Sequence, residues 1–211
     1  DGNIVSLESL GENFFLSTKT SIFRVNERER QAIALAIPSR NEIAHISAMR
    51  DINTLFIFGR DGSLSLYTPA NNRFRTEQSP FEEGRKASSI AASTTYLYTL
   101  DPESRSIRRF PRVEGGFGAG SSWLKEAAEI TFDTKLAVGT YVYLSGTNSI
   151  KSYSRGIERN IPFEVPTAPA VFSDLSISES DSSLFALDSA SGRIIEYDTG
   201  DGSIVAQYTS D

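Results

Sequence analysis

The chain has no cysteine, and its single histidine is His45. These absences exclude thiol nucleophiles, disulfides and the usual Cys/His zinc sites. No apolar run approaches the ~20 residues that a membrane-spanning helix requires, so direct membrane insertion of this segment is not expected. The 211 residues include 21 basic and 27 acidic side chains, which give a net charge of −6. Because that field repels phosphate, nucleic acid is not expected as a partner.

What the sequence does contain is a repeat. Five apolar–aromatic pairs, each followed by a polar turn and a second strand-like segment, recur about 42 residues apart. Residues ending the second segment recur with the same period. The pairs are Phe14-Phe15, Leu55-Phe56, Leu97-Tyr98, Val142-Tyr143 and Leu184-Phe185, and the segment ends are Val25, Tyr67, Phe110, Tyr153 and Tyr197. Two landmarks with one period indicate five structural repeats.

A period of this length fits both four-stranded propeller blades and HEAT or armadillo helical repeats. Segments such as 54–58 and 95–98 are short, rich in β-branched and aromatic residues, and followed by turn residues, whereas no amphipathic helical stripe is present. We therefore predict an all-β fold, a β-propeller of five four-stranded blades of about 42 residues, with little helix. The second member of each pair is expected to be buried between blades.

The repeat also predicts the domain organisation. Residues 1–211 are expected to form one propeller domain that is part of a larger protein, either a complete five-bladed ring or consecutive blades of a larger one. The predicted blades are 1–40, 41–83, 84–127, 128–168 and 169–211. The first strand of the fourth blade is placed at 128–132, and two of the less regular outermost strands are placed at 122–126 and 161–165.

The last repeat, Ser183-Leu-Phe-Ala-Leu-Asp-Ser-Ala-Ser-Gly-Arg-Ile-Ile-Glu-Tyr-Asp198, resembles the repeat of NHL-type and related bacterial propellers. Those repeats pair a leucine-aromatic strand ending in aspartate with a glycine-arginine-isoleucine strand. The fourth repeat is similar to propeller modules attached behind bacterial membrane helices. The resemblance implies a propeller fold and the extracytoplasmic, cell-envelope side of a bacterium, with a cytoplasmic location left open. A shared superfold does not imply a shared function.

Polar residues precede the aliphatic residue that opens each predicted first strand. They are Asn3, His45, Ser89, Glu129 and Asp174. Equivalent residues of successive blades lie at one height around the axis, so these five are expected to line one mouth of a central channel. Such a group suits a small polar ligand or Ca²⁺, and no other cofactor is expected. The alternative is that strand starts at a wet channel are simply polar.

A second candidate surface is basic and aromatic. Arg108, Arg109 and Arg112 would suit an anionic partner, and Trp123 would serve as an aromatic anchor for a partner or a glycan. The competing explanations are a solvated rim for the arginines and outer-strand packing for the indole.

No nucleophile–base pair or metal-ligand cluster can be assembled from the sequence with more than weak support, so no catalytic residue is assigned. The leading hypothesis is a non-catalytic sensing or interaction module that binds a protein or a small polar ligand. The alternative is a metal-dependent lactonase or lyase, in which Asn3, Glu129 and Asp174 hold a divalent cation that polarises substrate oxygen.

Overall fold

The computed structural model describes residues 4–26, 31–37, 41–81 and 87–209. These residues form 21 β-strands, and their only helical elements are two short 3₁₀ turns, Arg50–Ile52 and Pro69–Asn71. The strands form five antiparallel sheets, one for each sequence repeat, in which neighbours along the chain pair in order. The predicted all-β fold is therefore confirmed, and the protein is a five-bladed β-propeller.

The first two sheets contain four strands each. They are β1 (Ser6–Leu10), β2 (Asn13–Ser17), β3 (Ile22–Asn26) and β4 (Gln31–Leu35), then β5 (Ile43–Met49), β6 (Thr54–Gly59), β7 (Leu64–Thr68) and β8 (Arg73–Glu77). The third sheet consists of β9 (Ser89–Ser93), β10 (Tyr96–Asp101), β11 (Ser106–Val113) and β12 (Gly116–Phe117), and the short β13 (Ser121–Ser122) also pairs with β11.

The fourth sheet consists of β14 (Leu136–Val138), β15 (Val142–Gly146), β16 (Ser149–Ser154) and β17 (Ile157–Glu158). The fifth consists of β18 (Asp174–Ile177), β19 (Ser183–Asp188), β20 (Arg193–Asp198) and β21 (Ile204–Thr209). The second and third strands of every blade lie within a few residues of their predicted positions. In the second blade these two strands, β6 and β7, are buried along almost their whole length.

The core can be described in two compact units. One contains the first two sheets, the other contains the fourth and fifth, and the third sheet contributes strands to both. In the first unit, Phe15 packs against Tyr67 at a ring-centroid distance of 5.9 Å. In the second unit, Phe163 lies between Tyr143 and Tyr197, at 6.0 and 5.8 Å. Aromatic rings thus contribute to the core of each unit.

Four of the five aromatic residues predicted to be buried are so, namely Phe15, Phe56, Tyr98 and Tyr143. The prediction is wrong for Phe185, which is only partly buried. In β19 the side chains of Leu184 and Ala186 point inward instead. Phe185 consequently lies on the other face, opposite Glu196 of β20.

Three predicted strands are wrong. Residues 123–135, here called the entry segment, and residues 159–173, the exit segment, contain no strand. In the exit segment Pro162 has no N–H to donate to a sheet, and Phe163 turns inward to the core. In the entry segment Phe132 is exposed and the first strand of the fourth blade begins only at Leu136. The fourth blade therefore departs from the repeat on both sides.

Within the described part of the chain, no helix is long and apolar enough to cross a membrane.

Candidate binding site

A cavity of about 850 Å³ lies beside the fourth sheet, within the second unit. One wall is a face of β15 and β16. Leu144 lies opposite Lys151 and Gly146 lies opposite Ser149 in the strand register, and directly opposed residues share a face. Residues 127–131, 133 and 134 of the entry segment, residues 170–172 of the exit segment and Arg105 form the remaining walls. The cavity therefore lies where the fourth repeat is irregular.

A hydrogen-bonded turn shapes the entry segment. The Thr134 N–H donates to the Thr131 carbonyl oxygen at 3.2 Å, and the Thr131 N–H donates to Thr134 Oγ1 at 2.9 Å. The Asp133 N–H also donates to Thr131 Oγ1 at 3.3 Å. Thr134 is buried, whereas Phe132 between these threonines is 70% exposed. The turn presents an apolar ring to solvent between two residues of the cavity lining, Thr131 and Asp133.

The exit segment is fixed in place by polar contacts. The Ala170 N–H donates to Asn148 Oδ1 at 2.9 Å. The buried Arg193 guanidinium donates to the carbonyl oxygens of Ala168 and Pro169, at 2.7 and 3.1 Å. Between these contacts and the buried Phe172, Val171 is 68% exposed. A second apolar side chain is thus presented to solvent from the cavity wall.

The charged groups of the cavity differ in how they are paired. Lys151 Nζ and the Tyr153 hydroxyl both donate to Glu158 Oε2, at 3.4 and 3.5 Å. Burial, with the nearby carboxylates of Glu158 and Glu129, raises the pKa of Tyr153 to about 12. Tyr153 therefore stays a neutral donor at physiological pH.

The exposed carboxylates of Glu129 and Asp133 form no ion pair with the residues that the structure describes. Arg105, exposed at a turn with a positive φ of 48°, supplies a positive charge to the lining. The cavity thus combines exposed carboxylates with an apolar edge.

Of the five predicted channel-mouth residues, Glu129 alone is part of the cavity lining. Asn3 lies outside the described residues. His45 is half-buried in β5. Asp174 of β18 is 3% exposed, and its Oδ1 accepts a hydrogen bond from the N–H of the next residue, Leu175. Ser89 is buried, and its Oγ accepts a hydrogen bond from the Leu136 N–H at 3.1 Å. Their grouping at one channel mouth stays a prediction.

The strand register corrects the alignment behind that prediction. His45 lies opposite Phe58 and Asp174 opposite Leu187, so these two occupy equivalent positions. The equivalent residue of the first blade is Ser6, opposite Ser17. In the fourth blade it is Lys135, whose N–H donates to Ser145 Oγ at 2.8 Å. In the first and fourth blades the sequence alignment started from the wrong aliphatic residue. It therefore selected Asn3 and Glu129 instead of Ser6 and Lys135.

Buried serines of the inner strands have a structural role. Ser6 Oγ donates to the Ile46 carbonyl oxygen at 3.3 Å, and the Ala92 N–H donates to Ser47 Oγ at 2.8 Å. Ser89 repeats this arrangement in the second unit. Each serine links its inner strand to the next one. Ser89 is therefore already engaged in holding the fold together.

The predicted partner-binding arginines are already in contact with the protein. Arg112 donates Nη2 to Glu77 Oε2 at 2.9 Å and Nη1 to Glu77 Oε1, and lies over the Phe117 ring. Arg109 lies 4.4 Å from the centre of the Tyr96 ring. Arg108 and Trp123 are both half-buried. Partner binding by these four residues stays a prediction.

Sequence reasoning missed the residues at the edge of this cavity. Phe132 and Val171 were not candidates, and neither were Asp133 and Lys151. The signal was present in the interruption of the repeat and in the Thr131-Phe-Asp-Thr134 sequence, because threonines three residues apart form side-chain-to-backbone turns.

Within the described residues, no group of three or more His, Asp and Glu side chains is placed to hold a metal ion.

No protein-family model and no curated protein matches this sequence. Solved structures do match in fold. A chain of the "Crystal structure of Nidogen/Laminin Complex" superposes with a TM-score of 0.70 and 10% sequence identity, covering 99% of this chain and 81% of that chain. At this identity the likeness shows the fold alone. It supports a propeller but does not support the NHL-like repeat type over other propellers.

Proposed function

We propose that this chain is a non-catalytic protein-binding module that contacts its partner through the cavity beside the fourth blade. The contact surface comprises the cavity lining, which includes Val171, together with the exposed Phe132 between the lining residues Thr131 and Asp133. The extracytoplasmic location and the NHL-like bacterial type belong to the same proposal. The repeat type rests on the resemblance of residues 183–198, and the location rests on the resemblance of the fourth repeat.

One observation carries this proposal: two long irregular segments flank a single blade and together enclose a cavity with an exposed apolar edge. Segments longer than about 12 residues without regular structure are uncommon in compact domains and often functional. Both the entry and the exit segment exceed that length. Apolar anchors among polar groups are the usual composition of a protein-binding surface.

The structural neighbour is compatible with this function. The matching chain comes from a nidogen/laminin complex, so a propeller of similar fold occurs in a protein–protein assembly. Propellers serve many functions, and the neighbour therefore supports the class of function without identifying a partner.

The test is a selection of linear peptides from a displayed random library on the whole chain, followed by affinity measurements with two matched variants. Val171→Ser changes a 68% exposed valine at the cavity, and Val205→Ser changes a 57% exposed valine on β21. Selected peptides are expected to lose about tenfold in affinity with Val171→Ser, equivalent to about 1.4 kcal/mol, and to bind Val205→Ser normally. Peptides that bind both variants like the unchanged protein contradict the proposal.

A further inference from the structure

We propose that Arg193 and Asn148 are positioning residues that hold one wall of the cavity, residues 170–172, in the arrangement that a partner recognises. Neither residue belongs to the cavity lining, whereas residues 170–172 do. The inference rests on the proposed protein-binding function. It goes beyond that function because it assigns part of the partner affinity to two side chains outside the contact surface.

The exit segment is poorly suited to regular strand pairing. It contains three prolines, Pro162, Pro166 and Pro169, and a proline has no N–H to donate to a neighbouring strand. Its carbonyl oxygens still need hydrogen-bond donors wherever they are withdrawn from water. Side chains of the neighbouring blades are therefore needed to fix the path of this segment.

Arg193 supplies donors to the segment from the fifth blade. It is buried in β20, and its Nε donates to Asp188 Oδ2 at 3.0 Å. With the guanidinium oriented in this way, Nη2 donates to the carbonyl oxygens of Ala168 and Pro169, at 2.7 and 3.1 Å. A planar guanidinium makes these contacts simultaneously, which the single ammonium of a lysine does not. One buried side chain thus fixes the two residues that precede Ala170 of the cavity wall.

Asn148 supplies an acceptor to the segment from the fourth blade. It lies in the turn between β15 and β16, and its Oδ1 accepts a hydrogen bond from the Ala170 N–H at 2.9 Å. Its φ is 51°, in the left-handed region that asparagine and glycine adopt more readily than other residues. Residues 168–170 are therefore held by side chains from two blades, and the 68% exposed Val171 follows directly.

A wall that is ordered before binding gives a higher affinity. If a lost contact lets residues 170–172 adopt other arrangements, the apparent affinity falls in proportion to the fraction of molecules that keep the original one. Ordering a loosened segment when the partner binds also costs conformational entropy. Arg193 and Asn148 should therefore change the affinity for a partner that they do not contact.

The experiment compares two variants of Asn148 in the whole chain. Asn148→Gly keeps the positive φ but removes the Oδ1 acceptor, whereas Asn148→Asp keeps both. The probe is a linear peptide from the displayed library that loses affinity with Val171→Ser. We expect Asn148→Gly to bind this peptide about fivefold more weakly, the effect of one ordinary hydrogen bond, and Asn148→Asp to bind it normally. Amide hydrogen exchange of the free protein should be faster at residues 170–172 in the glycine variant alone.

The matched control is Asn72→Gly in the second blade. Asn72 also has a positive φ, 53°, and its Oδ1 accepts a hydrogen bond from the Tyr67 hydroxyl at 2.9 Å. The control thus loses an equivalent contact outside the cavity lining, and its peptide affinity should be unchanged. Arg193→Lys keeps a cation beside Asp188 without the guanidinium fork, and should weaken peptide binding at least as much as Asn148→Gly. Thermal unfolding verifies that each variant is folded, and the Asn148 variants suffice if Arg193→Lys does not fold.

The outcomes distinguish this inference from the proposed function. Unchanged peptide affinity in Asn148→Gly, or in a folded Arg193→Lys, overturns the inference, while a peptide that depends on Val171 still supports binding at the cavity. An equal loss of affinity in Asn148→Asp or in Asn72→Gly shows that the Oδ1 contact with the wall is not the cause, and also overturns the inference. If no selected peptide depends on Val171, the proposed function and the inference are both contradicted.

Discussion

The fourth and fifth blades are built from the same repeat, yet they use it differently. The fifth has four well-formed strands, β18 to β21, and a buried ion pair between Asp188 and Arg193 at 3.0 Å. The fourth has a short first strand and a two-residue outermost strand, and its ion pair between Lys151 and Glu158 is about half exposed. The cavity described above lies beside this less regular blade. The comparison teaches that a departure from the repeat, rather than the repeat itself, shapes the cavity that we propose as the binding surface.

The largest effect on stability should come from replacing Phe163 of the exit segment, and Phe132 of the entry segment provides the comparison. Phe163 is 9% exposed and packs between Tyr143 and Tyr197, whereas Phe132 is 70% exposed. Phe163→Ala should lower the free energy of unfolding by about 3–5 kcal/mol because it leaves a cavity in the core. Phe132→Ala should change it by less than about 0.5 kcal/mol. Urea unfolding of both variants measures the difference, and equal losses would show that Phe132 has a core role.

Much of this fold is predictable from the sequence, for a physical reason. Second and third strands such as β6 and β7 are covered on both faces, so their apolar residues are conspicuous and recur with the period. Outermost strands have one free edge and few packing constraints, which leaves their sequences weakly patterned. The exposure of Phe132 was not predictable from the period, because this residue lies in a segment that does not repeat. In a sequence, an exposed phenylalanine also looks the same as a phenylalanine of the core.

The second effect compares the two ion pairs. Arg193→Met would leave the Asp188 carboxylate buried without its cation, and should destabilise the protein by about 3 kcal/mol. Lys151→Met removes one partner of an exposed pair and should cost less than about 1 kcal/mol. Urea unfolding at neutral pH gives both values. A loss above ~2 kcal/mol for Lys151→Met would mean that the fourth blade depends on its charges as the fifth does.

A smaller effect tests how the entry segment is held. Thr134→Val keeps the shape of a buried side chain but removes the Oγ1 acceptor for the Thr131 N–H. We expect a loss of about 1 kcal/mol in stability, typical of one hydrogen bond, together with greater motion of Phe132. NMR order parameters at residues 131–134 measure that motion. Unchanged order parameters would show that the turn is fixed by packing alone.

The smallest effect concerns acid stability of the fifth blade. Burial by itself would raise the pKa of Asp188, but the nearby Ser191 and the hydrogen-bonded guanidinium of Arg193 lower it below its usual value. A carboxyl with a lowered folded-state pKa contributes stability that is present above its unfolded pKa of ~3.9 and is lost as pH falls through the folded value. Asp188→Asn should therefore flatten the stability profile below about pH 4. A profile as steep as that of the unchanged protein would assign the acid sensitivity to other carboxyls.

The central claim is that the irregular segments around the fourth blade, and not the regular strands of the fifth, are the binding surface. Amide hydrogen exchange of the whole chain, with and without a peptide obtained from the displayed library, tests it directly. We predict that the bound peptide slows exchange in residues 127–134 and 170–172 and leaves β20 and β21 unchanged. Protection confined to β20, β21 or another sheet edge, with none in the two segments, would contradict the account.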